Sequence, residues 1–428
     1  MAVARDVLHD LYRTAVAAVH PATCLPRHLP PAPRGGRLVL LAAGKAAGSM
    51  TQVAEQHYLD AGLPAQHLAG IAVTRHGYGR PTGVIPVVEA GHPIPDDAGL
   101  AAAQKTLRLA ETAQRGDLVL ALVSGGASAN WIAPAAGIAL AEKQAVTRAL
   151  LRCGATIGEI NTVRKHLSRI KGGRLAAHAT PAQIVTLAIS DVPGDDPAVI
   201  GSGPTVPDPT TLADARAVVA RYGLALPPSV TAALADPANE SPKPGNVAFD
   251  DARFELIARP ADAFAAAAAR AQALGYRCMM LGDRLEGEAR DVAAEHAALA
   301  RRIKADGGRT IILSGGELTV SIRGHGQGGP NQEYALALAA ALEGAAGIAA
   351  LAADTDGTDG GGGHPEDPAG AYIDAGTLEK ARATGLDAAA FLLNNDSTTF
   401  FARLGDLLVP GPTYTNVNDF RAILIDSD

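Results

Sequence analysis

The stretch Arg37-Leu-Val-Leu-Leu-Ala-Ala-Gly-Lys-Ala-Ala-Gly48 decides the fold, because an apolar run leads through a glycine into a helical pattern. Short apolar runs and longer Ala-rich stretches go on alternating up to about Gly223. The alternation predicts βαβ units around a mostly parallel sheet. The predicted strands are Arg37–Ala42, Ile71–Thr74, Val84–Glu89, Leu118–Val123 and Ile184–Ile189. The predicted helices are Lys45–Ala61, Asp97–Arg115, Ala141–Arg152 and Leu212–Tyr222.

A proline-rich segment, Asp236–Gly245, is the best domain boundary, since it has no hydrophobic period. We expect one α/β domain over residues 1–235, a linker over 236–246 and a second α/β domain over 247–428. The second domain is predicted to begin with strand Phe254–Ala258, helix Ala261–Leu274, strand Arg277–Leu281, helix Gly287–Lys304 and strand Thr310–Leu313.

Composition excludes several classes of protein. The 428 residues carry 37 Lys+Arg against 44 Asp+Glu, so a net charge of −7 and the lack of a basic arm argue against nucleic-acid binding. No uncharged apolar run reaches the ~20 residues that span a bilayer, so we expect no membrane partner. Residues 1–20 fit an amphipathic helix, and Cys24, Cys153 and Cys278 form neither a disulfide framework nor a zinc pattern. We therefore expect a soluble, cytoplasmic protein.

The first glycine cluster, Gly44–Gly48, follows a strand and opens a helix, where free N–H groups attract anions. Lys45 is expected to face a phosphate there. The cluster is not a P-loop, because Val39 and Ala46 replace the required Gly and Ser/Thr. The alternative is a tight turn whose lysine is merely solvated.

A Ser-Gly-Gly tripeptide occurs twice, each time after an apolar run, and its small residues allow a backbone to approach a ligand closely. This recurrence suggests that both turns line one cleft, although such turns are more often structural. The candidates are Ser124, Gly125, Gly126 and Ser128 in the first turn, and Ser314, Gly315, Gly316 and Glu317 in the second.

A basic segment, Asn161–Arg174, stands out in an otherwise acidic chain. Its Arg and Lys side chains suit a small anionic substrate, and an exposed basic helix face is the alternative. The binding candidates from this segment are Arg164, Lys165, His166 and Lys171.

Two acidic loops follow predicted strands and offer the oxygen ligands that Mg²⁺ prefers. The metal candidates are Asp191 and Asp195 in the first loop, and Asp354, Asp356 and Asp359 in the second. The second loop begins like an EF-hand, but its twelfth position is Pro365, which rules out calcium of that type. Capping of turns by these aspartates is the structural alternative.

One cluster favours a different class of enzyme. Gly324–Gly329 fits G-x-G-x-x-G, follows a predicted strand over Leu318–Ile322, and precedes a helix beginning near Asn331. That context matches a dinucleotide site. An NAD(P)H-dependent hydroxypyruvate reductase therefore stays open.

Taken together, the motifs resemble the class II glycerate kinases, the glycerate 2-kinase family with a MOFRL domain, whose relatives often carry the name hydroxypyruvate reductase. The resemblance covers nearly the whole chain, and the matching pieces occur in family order. They are Gly44–Ala46, Ser124–Ser128, Asn161–Gly173, Ser190–Thr205, Ser314–Glu317, Gly328–Glu333, Asp354–Gly360 and Gly411–Asp419.

The resemblance implies an α/β fold of two domains: a Rossmann-like N-terminal domain with helices on both faces of a mostly parallel sheet, and a C-terminal domain with a MOFRL region over about 308–420. It places the active site in the interdomain cleft. It also implies ATP- and Mg²⁺-dependent phosphorylation of D-glycerate at the 2-hydroxyl, giving 2-phosphoglycerate. The oligomeric state stays open, with a homo-oligomer among the expected partners.

Lys45 resembles the family lysine that acts in catalysis, and Asp191 or Asp356 is the expected proton acceptor. Some relatives have an arginine where this chain has Pro330, and Arg323, Arg164 and Arg174 are the candidates to replace it. The matching motifs add further substrate- or phosphate-binding candidates: Gly203, Thr205, Asn331, Thr415 and Asn416.

Overall fold

The computed structural model describes residues 2–360, 364 and 366–426. Residues 361–363 and Pro365, which complete the acidic glycine loop, lie outside the described residues. The chain divides into two compact units. Unit A is Pro21–Ala258, and unit B combines residues 2–20 with residues 259–426.

The helices and strands are numbered along the chain. The helices are α1 (Ala2–Ala18), α2 (Pro21–Cys24), α3 (Ala47–Asp60), α4 (Asp97–Glu111), α5 (Ala127–Asn130), α6 (Leu140–Arg152), α7 (Ile157–His166), α8 (Arg174–Ala179), α9 (Leu212–Arg221), α10 (Pro228–Ala235), α11 (Pro260–Ala273), α12 (Ala289–Asp306), α13 (Pro330–Leu342), α14 (Thr377–Ala383), α15 (Ala388–Leu393) and α16 (Ser397–Leu404). The strands are β1 (Leu38–Ala43), β2 (Leu68–Arg75), β3 (Val87–Ala90), β4 (Leu118–Val123), β5 (Gln183–Ile189), β6 (Ala252–Ala258), β7 (Arg277–Met280), β8 (Gly287–Glu288), β9 (Thr310–Gly315), β10 (Leu318–Thr319), β11 (Ile348–Asp354), β12 (Gly370–Ile373), β13 (Leu407–Leu408) and β14 (Asp419–Ile425).

The sheet of unit A has the strand order β3-β2-β1-β4-β5-β6, and each neighbouring pair is parallel. The chain winds outward in one direction from β1 to β3 and in the other from β4 to β6. The direction therefore switches between β1 and β4. In open α/β sheets, ligands bind beyond the carboxyl ends of the strands at such a switch point.

The core of unit A explains why its strands could be predicted. Every residue of β1 and β4 is buried, so both faces of these strands are covered and the sequence shows a continuous apolar run. The expected α/β class with a mostly parallel sheet is confirmed, and β4 has the predicted bounds. The main differences are β2, which is longer than predicted, β3, which starts three residues later, and α7, which was not predicted.

The division between the units differs from the expected linker at 236–246. That segment lies inside unit A, where Glu240 accepts a hydrogen bond from the Leu212 backbone N–H at 3.0 Å and bonds the His166 ring at 3.1 Å. Farther along the chain, β6 adds to the unit A sheet beside β5 instead of opening the second domain. The proline-rich composition thus reflects an ordered surface segment, and the division falls after Ala258.

Unit B is built on a mixed sheet of order β13-β12-β11-β14-β9-β7. Strand β14 is antiparallel to both of its neighbours, β11 and β9. The start of β14 therefore lies at the same sheet edge as the ends of β9 and β11. Helix α1 has the predicted amphipathic pattern, with Leu8, Leu11, Tyr12 and Ala15 buried on one side.

None of the helices in the described residues combines the length and the apolar character that a bilayer crossing requires.

Candidate functional site

The switch point of unit A is formed by two glycine turns that hold each other in place. The Lys45 backbone N–H donates to the Gly125 carbonyl at 2.8 Å, and the Ala46 N–H donates to Ser124 Oγ at 3.0 Å. At Gly44, whose φ is +117°, a Cβ would lie 2.3 Å from Ser124 Oγ. Only glycine permits this approach. The Gly44–Lys45 and Ser124–Gly126 turns, predicted separately, thus form one structure.

Two side chains flank the second turn. A Cβ at Gly126 would lie 3.0 Å from His92 Cδ2 and 3.3 Å from Lys45 Cγ, so both side chains pass beside this glycine. Gly126 has φ +86° and begins the short helix α5. The arrangement brings the Lys45 side chain and His92 to the backbone that would meet a ligand.

Three basic side chains, two of them buried lysines and one a partly exposed arginine, lie near the end of that helix. Lys171 Nζ donates to the Ser128 carbonyl at 2.8 Å, and Arg164 Nη2 approaches the same oxygen at 3.5 Å. Lys143 Nζ donates to the Arg164 carbonyl at 3.3 Å and also bonds the Leu167 carbonyl. Within the described residues, every hydrogen-bond acceptor of these three side chains is a backbone carbonyl.

The charges of this cluster are not neutralised by carboxylates. Burial, followed by the charges of Arg164 and Lys143, holds the pKa of Lys171 well below its usual value. Burial, followed by Arg164 and Arg174, does the same to the pKa of Lys143. Positive charges that repel one another in a poorly solvated site favour an anion nearby. The cluster can therefore bind a carboxylate or a phosphate.

Two other basic candidates have structural partners. Lys165 Nζ lies 3.4 Å from Asp208 Oδ1, and both residues are buried. His166 is fully buried, with Nδ1 2.8 Å from the Thr162 carbonyl and Nε2 bonded to Glu240. These contacts tie α7 to the segments around it. Binding of substrate by Lys165 and His166 is untested, and the geometry favours a structural role.

The first acidic loop follows β5. Asp191 is partly exposed directly after Ser190, and Asp195 has φ +58° with its backbone N–H donating to the Val192 carbonyl. Gly203 accepts a bond from the Gly173 N–H at 2.7 Å. Thr205 Oγ1 accepts a bond from the Thr186 hydroxyl at 2.8 Å, in the core. Only Asp191 and Asp195 of this group keep an accessible side chain.

In unit B the second Ser-Gly-Gly turn is explained by packing. Ser314 is buried at the end of β9, and a Cβ at Gly315 would lie 2.5 Å from the Phe264 ring. At Gly316, with φ +103°, a Cβ would lie 2.2 Å from the Leu285 nitrogen. Glu317, in contrast, is exposed.

Asp359 caps helix α13. Its Oδ1 accepts from the backbone N–H and side-chain amide of Asn331 at 3.0 and 3.2 Å, and its Oδ2 accepts the corresponding groups of Gln332 at 2.8 and 3.0 Å. Burial, with Asp419 adding to it, raises the pKa of Asp359 to about 7. Because four N–H donors already occupy the carboxylate, the geometry favours capping over metal binding.

An oxygen-rich group lies at the edge where β11 ends and β14 begins, because Asp354 and Asp419 are directly paired in the sheet. Asp419 accepts from the Asn331 amide at 2.7 Å and from Arg421 at 3.0 Å. Burial, aided by the charge of Asp356, raises the pKa of Asp419, and Arg421 opposes this. Asp356 is buried and accepts the Thr358 backbone N–H at 2.7 Å.

This donor set fits Mg²⁺. Asn331 Oδ1 is buried without a hydrogen-bond partner, and the amide nitrogen of the same side chain contacts the Asp419 carboxylate, on which the charge of Asp356 acts. No trio of His, Cys, Asp or Glu in the described residues could hold a metal ion. Mg²⁺, however, commonly takes one or two carboxylates and completes its shell with water and phosphate oxygens.

Comparisons with known proteins identify the family. The domain of unknown function DUF4147 matches residues 7–235, and the MOFRL family matches residues 310–419. A D-glycerate 2-kinase of Thermotoga maritima is 37% identical over 97% of each chain. A crystal structure of a Thermotoga maritima glycerate kinase matches with a TM-score of 0.87 and 36% identity, covering 99% of this chain and 100% of that one. This chain belongs to the MOFRL-containing glycerate kinase family.

Names within the MOFRL-containing glycerate kinase family are not uniform. An Agrobacterium vitis protein, provisionally named hydroxypyruvate reductase, is 49% identical over 99% of this chain and 94% of its own. The structure of the Gly324–Gly329 loop therefore bears on whether this member of the family has a dinucleotide site.

The Gly324–Gly329 loop is filled by protein. A Cβ at Gly324 would lie 2.4 Å from the Asn394 Cα, one at Gly326 would lie 2.3 Å from the Asp396 Cβ, and one at Gly328 would lie 2.3 Å from Ser397 Oγ. The preceding strand, β10, has two residues and pairs only with β8, outside the main sheet. The glycines therefore permit close packing of two loops, and the context of a pyrophosphate site is missing.

The remaining candidates from the family resemblance lie in two loops of unit B. Arg323 has an exposed side chain, and its backbone N–H donates to Asn395 Oδ1 at 2.7 Å. Thr415 is buried and its hydroxyl donates to the Val19 carbonyl at 2.8 Å, which ties the loop to the end of α1. Asn416 Oδ1 accepts the Asn418 N–H at 3.2 Å. The two buried loop residues thus shape the Gly411–Asp419 segment.

Sequence reasoning missed Lys143 and Asp419 as site residues. A signal existed for each. Lys143 shares the apolar face of α6 with Val146 and Leu150, where a lysine must find buried acceptors. Asp419 is the first residue of β14, an otherwise apolar strand that carries Arg421, a buried charge that requires a partner.

Proposed function

We propose that this protein catalyses the ATP- and Mg²⁺-dependent phosphorylation of D-glycerate at its 2-hydroxyl, giving 2-phospho-D-glycerate. The observation that carries the proposal is the position of Lys45 at the β1–β4 switch point, in a turn fixed by the Ser124–Gly126 backbone. A lysine presented beside a helix N-terminus is suited to offset phosphate charge. The kinase names of the relatives support the same reaction class.

In-line phosphoryl transfer needs positioning and charge neutralisation more than covalent help from the protein. The 2-hydroxyl oxygen of glycerate would attack the γ-phosphorus while the bond from phosphorus to the leaving oxygen of ADP breaks. Lys45 would offset negative charge on the transferred group. Arg164, whose positive charge is not balanced by a carboxylate, would bind the glycerate carboxylate.

The hydroxyl proton needs an acceptor. Asp191 is our candidate, because it is partly exposed at the carboxyl end of β5, in the same sheet as Lys45. Mg²⁺ supplies neutralisation of phosphate charge when bound. Asp356, Asp419 and the orphaned Asn331 oxygen would hold it.

Hydride transfer to hydroxypyruvate is the competing reaction. Its sequence support was the Gly324–Gly329 loop, which the Asn394–Ser397 segment fills. No other feature described above favours a nicotinamide cofactor, and the phosphotransferase therefore remains our proposal.

The test combines product analysis with one variant. Protein incubated with D-glycerate, ATP and Mg²⁺ should form ADP, and phosphorus–proton correlation should couple the new phosphate to the C2 methine proton. Lys45→Ala should lower kcat by about a hundredfold or more, while Lys105→Ala, a change at an exposed lysine of α4, should leave it unchanged. Coupling to the C3 methylene would overturn the assigned product. NADH oxidation with hydroxypyruvate and no ADP formation would overturn the reaction.

A further inference from the structure

Unit A contains a pocket that includes Arg164, the residue proposed above to bind the glycerate carboxylate, but whose apolar lining the proposed reaction does not explain. Its volume is about 220 Å³, below the roughly 300–1,000 Å³ of sites for drug-sized ligands. The apolar lining side chains are Pro93, Ile94, Pro95, Ile132 and Leu151. The polar lining side chains are Lys143, Gln144, Thr147, Arg148 and Arg164.

All the ionisable residues that line this pocket are basic. Three of its ten lining residues are cationic and none is acidic. Arg164 belongs to the cluster whose acceptors are backbone carbonyls, so no carboxylate in the described residues balances the positive charge that its guanidinium presents to the pocket. A single negative group entering the pocket would meet that charge in a partly desolvated setting.

The other half of the lining is apolar and meets solvent. Ile94 is 67% exposed and Leu151 is 61% exposed, although both are large aliphatic side chains. Covering such surface is worth about 25 cal/mol per Å² of apolar area. Glycerate carries an oxygen on every carbon, so it would gain little from these walls. A ligand with an alkyl body would gain from both halves.

We propose that this pocket binds a small monocarboxylate with an apolar tail, its carboxylate on Arg164 and its tail against Ile94, Ile132 and Leu151. The size agrees, because an apolar protein cavity of about 150 Å³ accommodates benzene and this pocket has about 220 Å³. A six-carbon chain therefore fits, whereas a nucleoside triphosphate does not.

The protein has a built-in reporter for such binding. Trp131 is the only tryptophan in the chain, it is buried, and it directly precedes the lining residue Ile132. A ligand that packs on Ile132 should change the emission of Trp131 selectively. This readout is independent of catalysis, so it tests the pocket whether or not the protein phosphorylates glycerate.

The experiment is a fluorescence titration of the full-length protein with hexanoate, with 1-hexanol as the uncharged analogue and D-glycerate as the polar anion. Hexanoate should give a saturable change. 1-Hexanol should bind at least about tenfold more weakly because it lacks the charged group, and D-glycerate should do so because it lacks the apolar tail. Equal binding of hexanol would overturn the role of the cations. Tighter binding of D-glycerate would assign the pocket to the substrate.

Two variants sharpen the result. Arg164→Gln should weaken hexanoate binding about tenfold or more. Leu151→Asp, which places a negative charge on the exposed rim, should weaken it about fivefold without disturbing the fold. Val247→Asp is the matched control, because Val247 is 71% exposed in the same unit and does not line the pocket. Unchanged hexanoate affinity in Leu151→Asp would refute the proposal.

Discussion

A buried histidine should make the stability of unit B depend on pH. His296 lies on α12, with its Nδ1 2.7 Å from the Tyr334 hydroxyl and its ring edge-on to the tyrosine at 5.7 Å. Burial, followed by the charge of Arg421, lowers the pKa of His296 from 6.5 to about 4. The folded state therefore binds a proton at this ring less readily than the unfolded state does.

This difference in pKa makes the fold less stable at low pH. Because the folded pKa lies below the unfolded value, the neutral ring stabilises the fold fully above pH 6.5, and this contribution is lost as the pH falls toward 4. Between pH 7.5 and pH 4.5, linkage gives a loss of about 2–3 kcal/mol from this one group. A typical domain has about 5–15 kcal/mol in total, so the effect should be easy to detect.

The measurement compares wild type with His296→Gln in guanidinium unfolding at both pH values, followed by far-ultraviolet circular dichroism. The glutamine amide can still bond Tyr334 but does not titrate. The variant should have a lower free energy of unfolding than wild type at pH 7.5, and this difference should shrink by about 2–3 kcal/mol at pH 4.5. Parallel pH dependences of the two proteins, within about 0.5 kcal/mol, would refute the reasoning.

Two further changes test structural assignments by thermal unfolding. Asp359→Ala removes the carboxylate that accepts four hydrogen bonds from α13 and should lower the free energy of unfolding by about 3 kcal/mol or more. Asp387→Ala removes one exposed capping hydrogen bond and should lower it by about 1 kcal/mol. Equal losses in the two variants would contradict the buried capping role of Asp359. Gly326→Ala places a Cβ 2.3 Å from that of Asp396 and should cost about 1–3 kcal/mol. In the control Gly158→Ala, the added Cβ lies in open space on α7, so this change should be neutral or stabilising by about 0.5–1 kcal/mol. Similar stability of the two glycine variants would contradict the packing explanation.

The parts of the fold that sequence predicted well share a physical property. Strands β1 and β4 are buried on both faces, so each is a continuous apolar run bounded by glycine or polar residues. Strand β14 was missed because Arg421 interrupts its apolar pattern. That arginine is tolerated only because Asp419 and the Gly316 carbonyl accept its hydrogen bonds. These partners come from tertiary structure, which periodicity does not contain.

Helix α7 shows a different limit. Its basic residues suggested either an anion site or an exposed helix face, whereas the structure buries Lys165 and His166 and leaves Arg164 partly exposed. A local signal for the helix was present, since Thr156 and Glu159 form a capping box. No local signal could show that Lys165 would be paired with Asp208, because the partner is 43 residues away.

A glycine turn can be a ligand site or a packing contact, depending on what lies close to the glycine. The G-x-G-x-x-G spacing reports only that a backbone must come close to something, and at Gly324–Gly329 the neighbour is the Asn394–Ser397 segment. The same holds at Gly44, where the close neighbour is Ser124. Glycine spacing therefore does not separate a ligand site from a packing contact. The two glycine clusters differ in the residue that follows, because Gly44 is followed by Lys45 at the point where the strand order switches direction. The functional prediction therefore rests on the lysine more than on the glycines.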